Sequence, residues 1–248
     1  MLTLVIPLWQ DALNLPDTAA GVAALRAALP YAVEVVAVDD GSTDDTADAA
    51  ERAGFHVVRQ PHRGRGAAVR AGMLAASGMY RMLVDARWSI PPEQVQLLLP
   101  PALHGFDVAV ASRNLPGSTR RGEGMGRRAA SQGLARLVQA VVLPGISDVH
   151  SGFMCLRAEA ARSLFARTRE DGGAVEVEVL ALARAFGLEV REVPVDWRAA
   201  VAPTGRPLRE APDLVVGLAR VRARLATGAY APLRAGTLTA PEGPHSVV

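Results

Sequence analysis

The chain has 248 residues, and its 27 basic side chains against 25 acidic ones leave a formal charge of +2. Every one of the 27 is arginine, which excludes a phosphate loop ending in Gly-Lys-Ser/Thr and any Schiff-base lysine. The near-neutral balance is not that of a nucleic-acid-binding protein, and the single Cys155 excludes an internal disulfide and a cysteine-based zinc site. No apolar run approaches the about 18 residues of a membrane span, and Met1 to Pro7 lacks the parts of a signal peptide. The expectation is a cytoplasmic protein, with a peripheral place at the inner face of the cell membrane left open.

In chain order, apolar runs alternate with helical patterns. Residues 2–6, 33–38, 56–59, 80–84, 107–111 and 189–193 read as strands. Residues 14–29, 44–53, 66–76 and 92–103 read as helices between them, with Thr43 or Asp44 as a cap and Pro91-Pro92 at a helix start. Such alternation predicts an α/β fold with a mostly parallel central sheet covered on both faces. Beyond Ser112 the pattern loosens. Residues 113–124 read as a loop, 125–143 and 174–186 as helices, 203–212 as a linker and 213–227 as a last helix. The domain expectation is a core over 1–200, a linker and basic amphipathic helix over 201–228, and a frayed tail over 229–248.

Charge is uneven along this frame. Arg113 to Arg136 holds six arginines and one acid, Glu123. Such a patch meets phosphates, anionic lipid or only solvent.

The first chemical signal is Asp39-Asp40-Gly41-Ser42-Thr43-Asp44 at the end of the second strand. Ligands of open α/β sheets bind beyond the carboxyl ends of strands, so two carboxylates there can hold a base or ribose. A capped strand-to-helix turn is the plainer alternative.

With Val5-Ile6-Pro7 before it, this segment resembles the opening of family 2 glycosyltransferases with the GT-A fold. Further pieces follow in the family's order: Gly64-Arg65-Gly66-Ala67-Ala68-Val69-Arg70-Ala71-Gly72, Asp85-Ala86-Arg87-Trp88-Ser89-Ile90-Pro91, Ala111-Ser112-Arg113, Asp148-Val149-His150-Ser151-Gly152-Phe153, Glu176-Val177-Glu178 and Glu192-Val193-Pro194-Val195-Asp196-Trp197. The set is most similar to the branch that loads sugars onto polyprenyl or dolichyl phosphate. The resemblance implies a GT-A-like sandwich that binds a nucleotide-diphosphate sugar. It assigns Pro7, Asp11, Asp39, Asp40 and Arg65 to the donor, with Asp85 and position 87 at the diphosphate. It also implies inverting transfer of a hexose to a lipid-phosphate acceptor, with a soluble hydroxyl-acceptor transferase and a non-catalytic nucleotide-sugar binder as alternatives.

Two departures from the family pattern stand out. Position 11 is aspartate where glutamate is usual, after Trp9-Gln10 in place of Tyr-Asn. Position 87 is arginine where the signature has the second aspartate of a pair that holds Mg²⁺ or Mn²⁺. A cation about 4 Å from a +2 ion is repelled by roughly 8 kcal/mol at an effective dielectric near 20. Three readings stay open: Arg87 replaces the metal on the diphosphate; Asp85 still recruits a metal with another ligand; or transfer is lost.

On the acceptor side Asp148 is the candidate base for a hydroxyl acceptor. A phosphate acceptor, already ionised, needs none, its second pKa being about 6. Arg113, Arg127 and Arg128 are candidates for a lipid phosphate, as is Glu178 for the acceptor; Arg120 and Arg121 lie in the same basic stretch. Glu176, His150 and Trp197 are read evenly or more readily as packing, loop or capping residues. The basic helix over 213–227 either lies on a membrane surface or packs on the domain. Oligomeric state is not legible.

Overall fold

A computed structural model describes residues 1–148, 152–199 and 207–230. Seven strands form one sheet in the order β3-β2-β1-β4-β7-β5-β8, and two more form a small parallel pair, β6 with β9. They are β1 (Leu2–Leu8), β2 (Val33–Asp40), β3 (His56–Gln60), β4 (Tyr80–Leu83), β5 (Val108–Ser112), β6 (Thr119–Arg121), β7 (Met154–Arg157), β8 (Val190–Pro194) and β9 (Asp196–Arg198). The helices are α1 (Leu15–Ala28), α2 (Thr46–Arg52), α3 (Arg65–Ala75), α4 (Met125–Val141), α5 (Ala158–Phe165), α6 (Val175–Ala185) and α7 (Pro207–Ala226).

The parallel β1–β2 pair matches Leu2 with Val33 through Leu8 with Asp39. Side chains alternate faces along a strand, and the sheet uses both. Leu2, Leu4, Ile6 and Leu8 pack with Leu15, Val22 and Leu25 of α1. Val5 packs on the other face with Val69 and Met73 of α3, Leu164 of α5 and Val177 and Leu180 of α6. Each such buried aliphatic side chain contributes about 1.5–3 kcal/mol relative to exposure.

All six expected strands form. Three short ones, β6, β7 and β9, fall outside the expected set. The four-residue β7 is antiparallel to both neighbours, with Tyr80 opposite Arg157 and Val108 opposite Leu156. The expected helix over 92–103 is instead a single 3-10 stretch, Pro92–Leu98. Pro100 disfavours helical backbone at the residue before it, and Leu99 is extended.

The basic helix begins at Pro207, inside the expected linker. Its Leu214, Leu218 and Val221 are buried with α6, so its apolar stripe faces the domain. Tyr230, placed in the expected tail, is buried as well. Linker residues 201–206 and tail residues 231–248 lie outside the described residues. No described helix is long and apolar enough to cross a membrane.

This topology brings the carboxyl ends of β1, β2 and β4 side by side. The segments that follow them, 9–14, 41–45 and 84–91, therefore share one edge of the sheet.

Candidate active site

At the end of β2 the two aspartates are buried and differently engaged. Asp39 accepts the Ser42 N–H at 3.3 Å on each oxygen. Asp40 Oδ1 accepts Gln60 Nε2 at 2.6 Å and the Arg63 N–H at 3.0 Å, and Oδ2 accepts the Gly64 N–H at 2.8 Å. His62 Nδ1 sits 2.9 Å from Oδ2. Asp40 thus ties the 60–64 segment to the strand end. The left-handed backbone of Gly41, φ +72°, carries the chain past His62, whose amide a side chain there would strike.

The segment after β1 crosses to the same place. Gln10, left-handed at φ 53°, donates its N–H to Ser42 Oγ at 3.0 Å and its amide to Thr43 at 2.8 Å. Asp11 accepts Asn14 Nδ2 at 2.7 Å and the Trp9 N–H at 3.2 Å. The Trp9 and His62 rings stack 4.8 Å apart at the rim, Trp9 being half exposed.

Beyond β4, Asp85 Oδ1 accepts the N–H groups of Arg87 and Ser89 at 3.0 and 3.1 Å. The tight turn that results is fixed from below by Trp88. Its φ is +48°, and its indole donates to Thr18 O at 3.1 Å. Thr18 Oγ1 in turn donates to Ala86 O at 2.5 Å. Arg87, held outward by this turn, brings Nη2 to 3.8 Å from Asp11 Oδ1.

Asp85 Oδ2 accepts no hydrogen bond among the described residues, and the open face of Gly152 lies beside it. The other carboxylates of this edge are committed to backbone amides and side chains, and an arginine stands two residues away. No three His, Cys, Asp or Glu side chains among the described residues are grouped as metal ligands. Among the described residues the 85–87 signature supplies one carboxylate, Asp85, and Arg87 is no oxygen ligand, so the signature itself does not hold a divalent ion by two carboxylates.

Arg65, at the first turn of α3, reaches Glu176 Oε1 at 2.6 Å. The Gly66 and Ala67 N–H groups are taken by the Asp171 carbonyl at 2.7 and 3.2 Å. A Cβ at Gly66 would stand 2.4 Å from Glu170 O, and one at Gly64 2.5 Å from Asp171 O. These two glycines admit the 170–172 backbone.

Asp148 is buried, 2% exposed. Arg113 forks it, Nε to Oδ2 at 2.7 Å and Nη2 to Oδ1 at 2.8 Å, and the Arg113 N–H adds a third bond at 2.8 Å. Burial opposes the Arg113 charge, but the Asp148 hydrogen bonds outweigh it and raise its pKa. The Arg113 guanidinium also lies 5.3 Å from the Trp197 ring centroid. Glu192 accepts the Ser147 and Asp148 N–H groups at 2.8 and 3.0 Å. Nothing in a single sequence links Glu192 to position 148 beyond its place in a motif.

The other expected acceptor residues spread out. Arg120 pairs with Glu123 at 3.0 Å. Arg128 is exposed on α4, while the Arg127 side chain and His150 lie outside the described residues. Glu178 is fully buried against α7 and Tyr230. Its Oε2 accepts the Arg169 and Glu170 N–H groups, each at 2.9 Å. Its Oε1 takes Tyr230 OH at 2.5 Å and Arg224 Nη1 at 3.3 Å.

The family profile "Glycosyl transferase family 2" matches residues 3–165, from within β1 to the end of α5. The chain belongs to glycosyl transferase family 2. A dolichyl-phosphate beta-glucosyltransferase of Trichomonas vaginalis is 30% identical over 176 residues, 66% of this chain and 52% of the relative. The match therefore spans about half of that protein's length. A dolichyl-phosphate beta-glucosyltransferase of Dictyostelium discoideum is 23% identical over 92% of this chain and 76% of its own. Among solved structures, glucosyl-3-phosphoglycerate synthase of Mycobacterium tuberculosis, in complex with Mn²⁺, UDP-glucose and phosphoglyceric acid, superposes with a TM-score of 0.68. It is 21% identical, with 90% of this chain and 80% of that one covered. The fold of the family 2 chain is GT-A, as its motifs implied.

Proposed function

We propose that this family 2 chain transfers a hexose, with inversion, from a nucleotide-diphosphate sugar to a polyprenyl-phosphate-type acceptor, and that Arg87 takes over the role of the metal-holding second aspartate of the family signature. The observation that carries the proposal is the turn that holds Arg87 at the donor edge beside Asp85. The similarity to dolichyl-phosphate glucosyltransferases supports the acceptor class.

In such a transfer an acceptor phosphate oxygen forms a bond to the anomeric carbon. The bond from that carbon to the donor's β-phosphate oxygen breaks, and the electron pair leaves on the nucleoside diphosphate. Charge develops on the leaving group, where a guanidinium fork can supply two hydrogen bonds and a full positive charge. Asp39 and the Pro7 strand end border the nucleotide. Asp40 holds the 60–64 wall, and Arg65 is aimed by Glu176.

A phosphate acceptor brings its own ionised oxygen, so no base is required. Asp148 accepts three hydrogen bonds from Arg113, two at Oδ2 and one at Oδ1, which supports a structural role for it. We assign Asp148 to holding Arg113 and the 112–114 turn, and Glu178 to the interior rather than the acceptor. Arg128 remains the acceptor-side candidate with an exposed side chain. The acceptor brings the protein to an anionic membrane surface as a peripheral partner.

The test is radiolabel from UDP-glucose and other nucleotide sugars moving into organic solvent with polyprenyl phosphate, with and without EDTA. Transfer that persists in EDTA supports the proposal. Strict dependence on Mg²⁺ or Mn²⁺ overturns the role of Arg87, and no lipid product overturns the acceptor class.

A further inference from the structure

A continuous set of contacts runs from the C-terminal helix to the donor edge. Tyr230 and Arg224 of the α7 region engage Glu178 Oε1. Glu178 Oε2 holds the amides of Arg169 and Glu170. The next carbonyl, of Asp171, accepts the first free amides of α3, those of Gly66 and Ala67. The Asp171 side chain pairs with Arg63 at 3.0 Å and also with Arg70. Arg63 and Gly64 then give their N–H groups to Asp40. Glu178 is wholly buried, and a carboxylate so placed is stable only when its bonds are complete. Here Oε1 is met by Tyr230 and Arg224, and both bonds of Oε2 come from backbone amides of a loop that itself has no regular structure.

We infer that Glu178 is a positioning residue for the donor site, acting through the 169–171 backbone on the Gly64–Ala67 turn, with α7 and Tyr230 as its clamp. The inference rests on the donor reading given above, and it reassigns a residue whose motif had suggested the acceptor. Burial, and then the bond to Glu178, raise the Tyr230 pKa, so the phenol stays a donor to Glu178 through the working range of pH. The loop can adopt its path because Gly64 and Gly66 leave room for it. The helix α7 lies beyond the region matched by the family profile, yet on this reading it is part of what shapes the nucleotide site.

The experiment compares the full chain with Glu178→Gln and Tyr230→Phe. UDP binding is measured by calorimetry, transfer kinetics by lipid extraction, and deuterium exchange at peptides covering residues 64–68. Loss of a charge-assisted bond pair should weaken UDP binding about tenfold in Glu178→Gln and about threefold in Tyr230→Phe. Exchange at 64–68 should rise in the same order, while kcat and the acceptor KM stay within about twofold. A rise in acceptor KM alone overturns the inference, as does faster exchange at 169–171 with none at 64–68. If the unaltered chain binds no UDP, the donor reading fails for that nucleotide, and the exchange arm still decides the coupling. If Glu178→Gln does not fold, Tyr230→Phe, which removes one hydroxyl, decides it by the same two readouts.

Discussion

Arg87 and Asp11 face each other between the segments that follow β4 and β1, Nη2 to Oδ1 3.8 Å apart. Both positions depart from the family pattern, one by reversal of charge and the other by a shorter acid. The fold brings the two departures together. An arginine at position 87 meets an anion from the β1 side, and the shorter Asp11 is held at a distance by its bonds to Asn14 and to the Trp9 amide. The Arg87 side chain is one-third exposed, and ion pairs of this kind contribute about 0–1 kcal/mol. On the proposed role of Arg87, the diphosphate of a donor would therefore displace Asp11 from the guanidinium at little cost.

If Arg87 serves the leaving group, Arg87→Ala should lower kcat by about 10²–10³-fold, the loss seen when one preorganised donor to developing charge is removed. Donor KM should change far less. Arg87→Asp places two carboxylates on the 85–89 turn, and the expected outcome is activity that appears only with added Mn²⁺. Lipid-extractable radiolabel in EDTA and across a Mn²⁺ titration reads both. Full activity of Arg87→Ala in EDTA would remove Arg87 from the chemistry.

The turn that carries Arg87 depends on Gly21. A Cβ at this position would lie 2.0 Å from Trp88 Nε1, within a packed face of α1. Gly21→Ala must therefore push Trp88 out of its bond to Thr18 O or shift the helix. Overpacking of this sort costs about 1–3 kcal/mol, although alanine favours a helix interior over glycine. A lower urea midpoint together with weaker nucleotide binding is expected. A midpoint that rises would show that propensity outweighs the clash.

The long elements were legible in the sequence because their hydrophobic periods are strong. Strands β1 and β2 carry near-continuous apolar runs, and α1 and α3 follow with small or apolar residues at helical spacing. The four-residue β7 carries too little pattern to be seen, and Pro100 undoes a helix that its preceding residues favour. The motifs that single out Asp39, Asp40 and Asp85 fall at or just beyond strand ends in the structure, and that of Arg65 at the start of α3. Partners of site residues were not legible: Glu176 lies 111 residues from Arg65, and Glu192 44 from Asp148. Glu178 shows the limit most clearly. A motif marks its position, but only the three-dimensional contacts show that its carboxylate faces the interior.

Asp148→Asn separates a scaffold from a base. The substitution keeps the shape but removes the charge that balances Arg113, whose side chain is 10% exposed. Breaking a buried pair from one side costs about 3–5 kcal/mol, so a large fall in thermal stability is expected. Transfer per folded molecule, measured well below the new midpoint, should stay within about tenfold of the unaltered chain. Unchanged stability with transfer abolished would return Asp148 to the role of base.

Acid should loosen the α3 junction through Asp171. Partial burial would raise its pKa, but hydrogen bonds from Arg70 and Arg63 outweigh that and hold it below the ordinary carboxylate range. Its folded pKa is thus lower than its unfolded value of about 3.9. Below the folded pKa both states are protonated and the group contributes nothing. As pH rises through the window between the two values, the unfolded chain binds the extra proton and stability grows, reaching its full contribution above about pH 5. Asp171→Asn removes this contribution, so the difference in unfolding free energy between the two chains should be largest at neutral pH and shrink as pH falls below about 4. Urea melts at pH 7, 5 and 3 measure it. A difference that is constant with pH would mean that the carboxylate charge does not stabilise the junction, and that the Asp171 backbone bonds to Gly66 and Ala67 hold it instead.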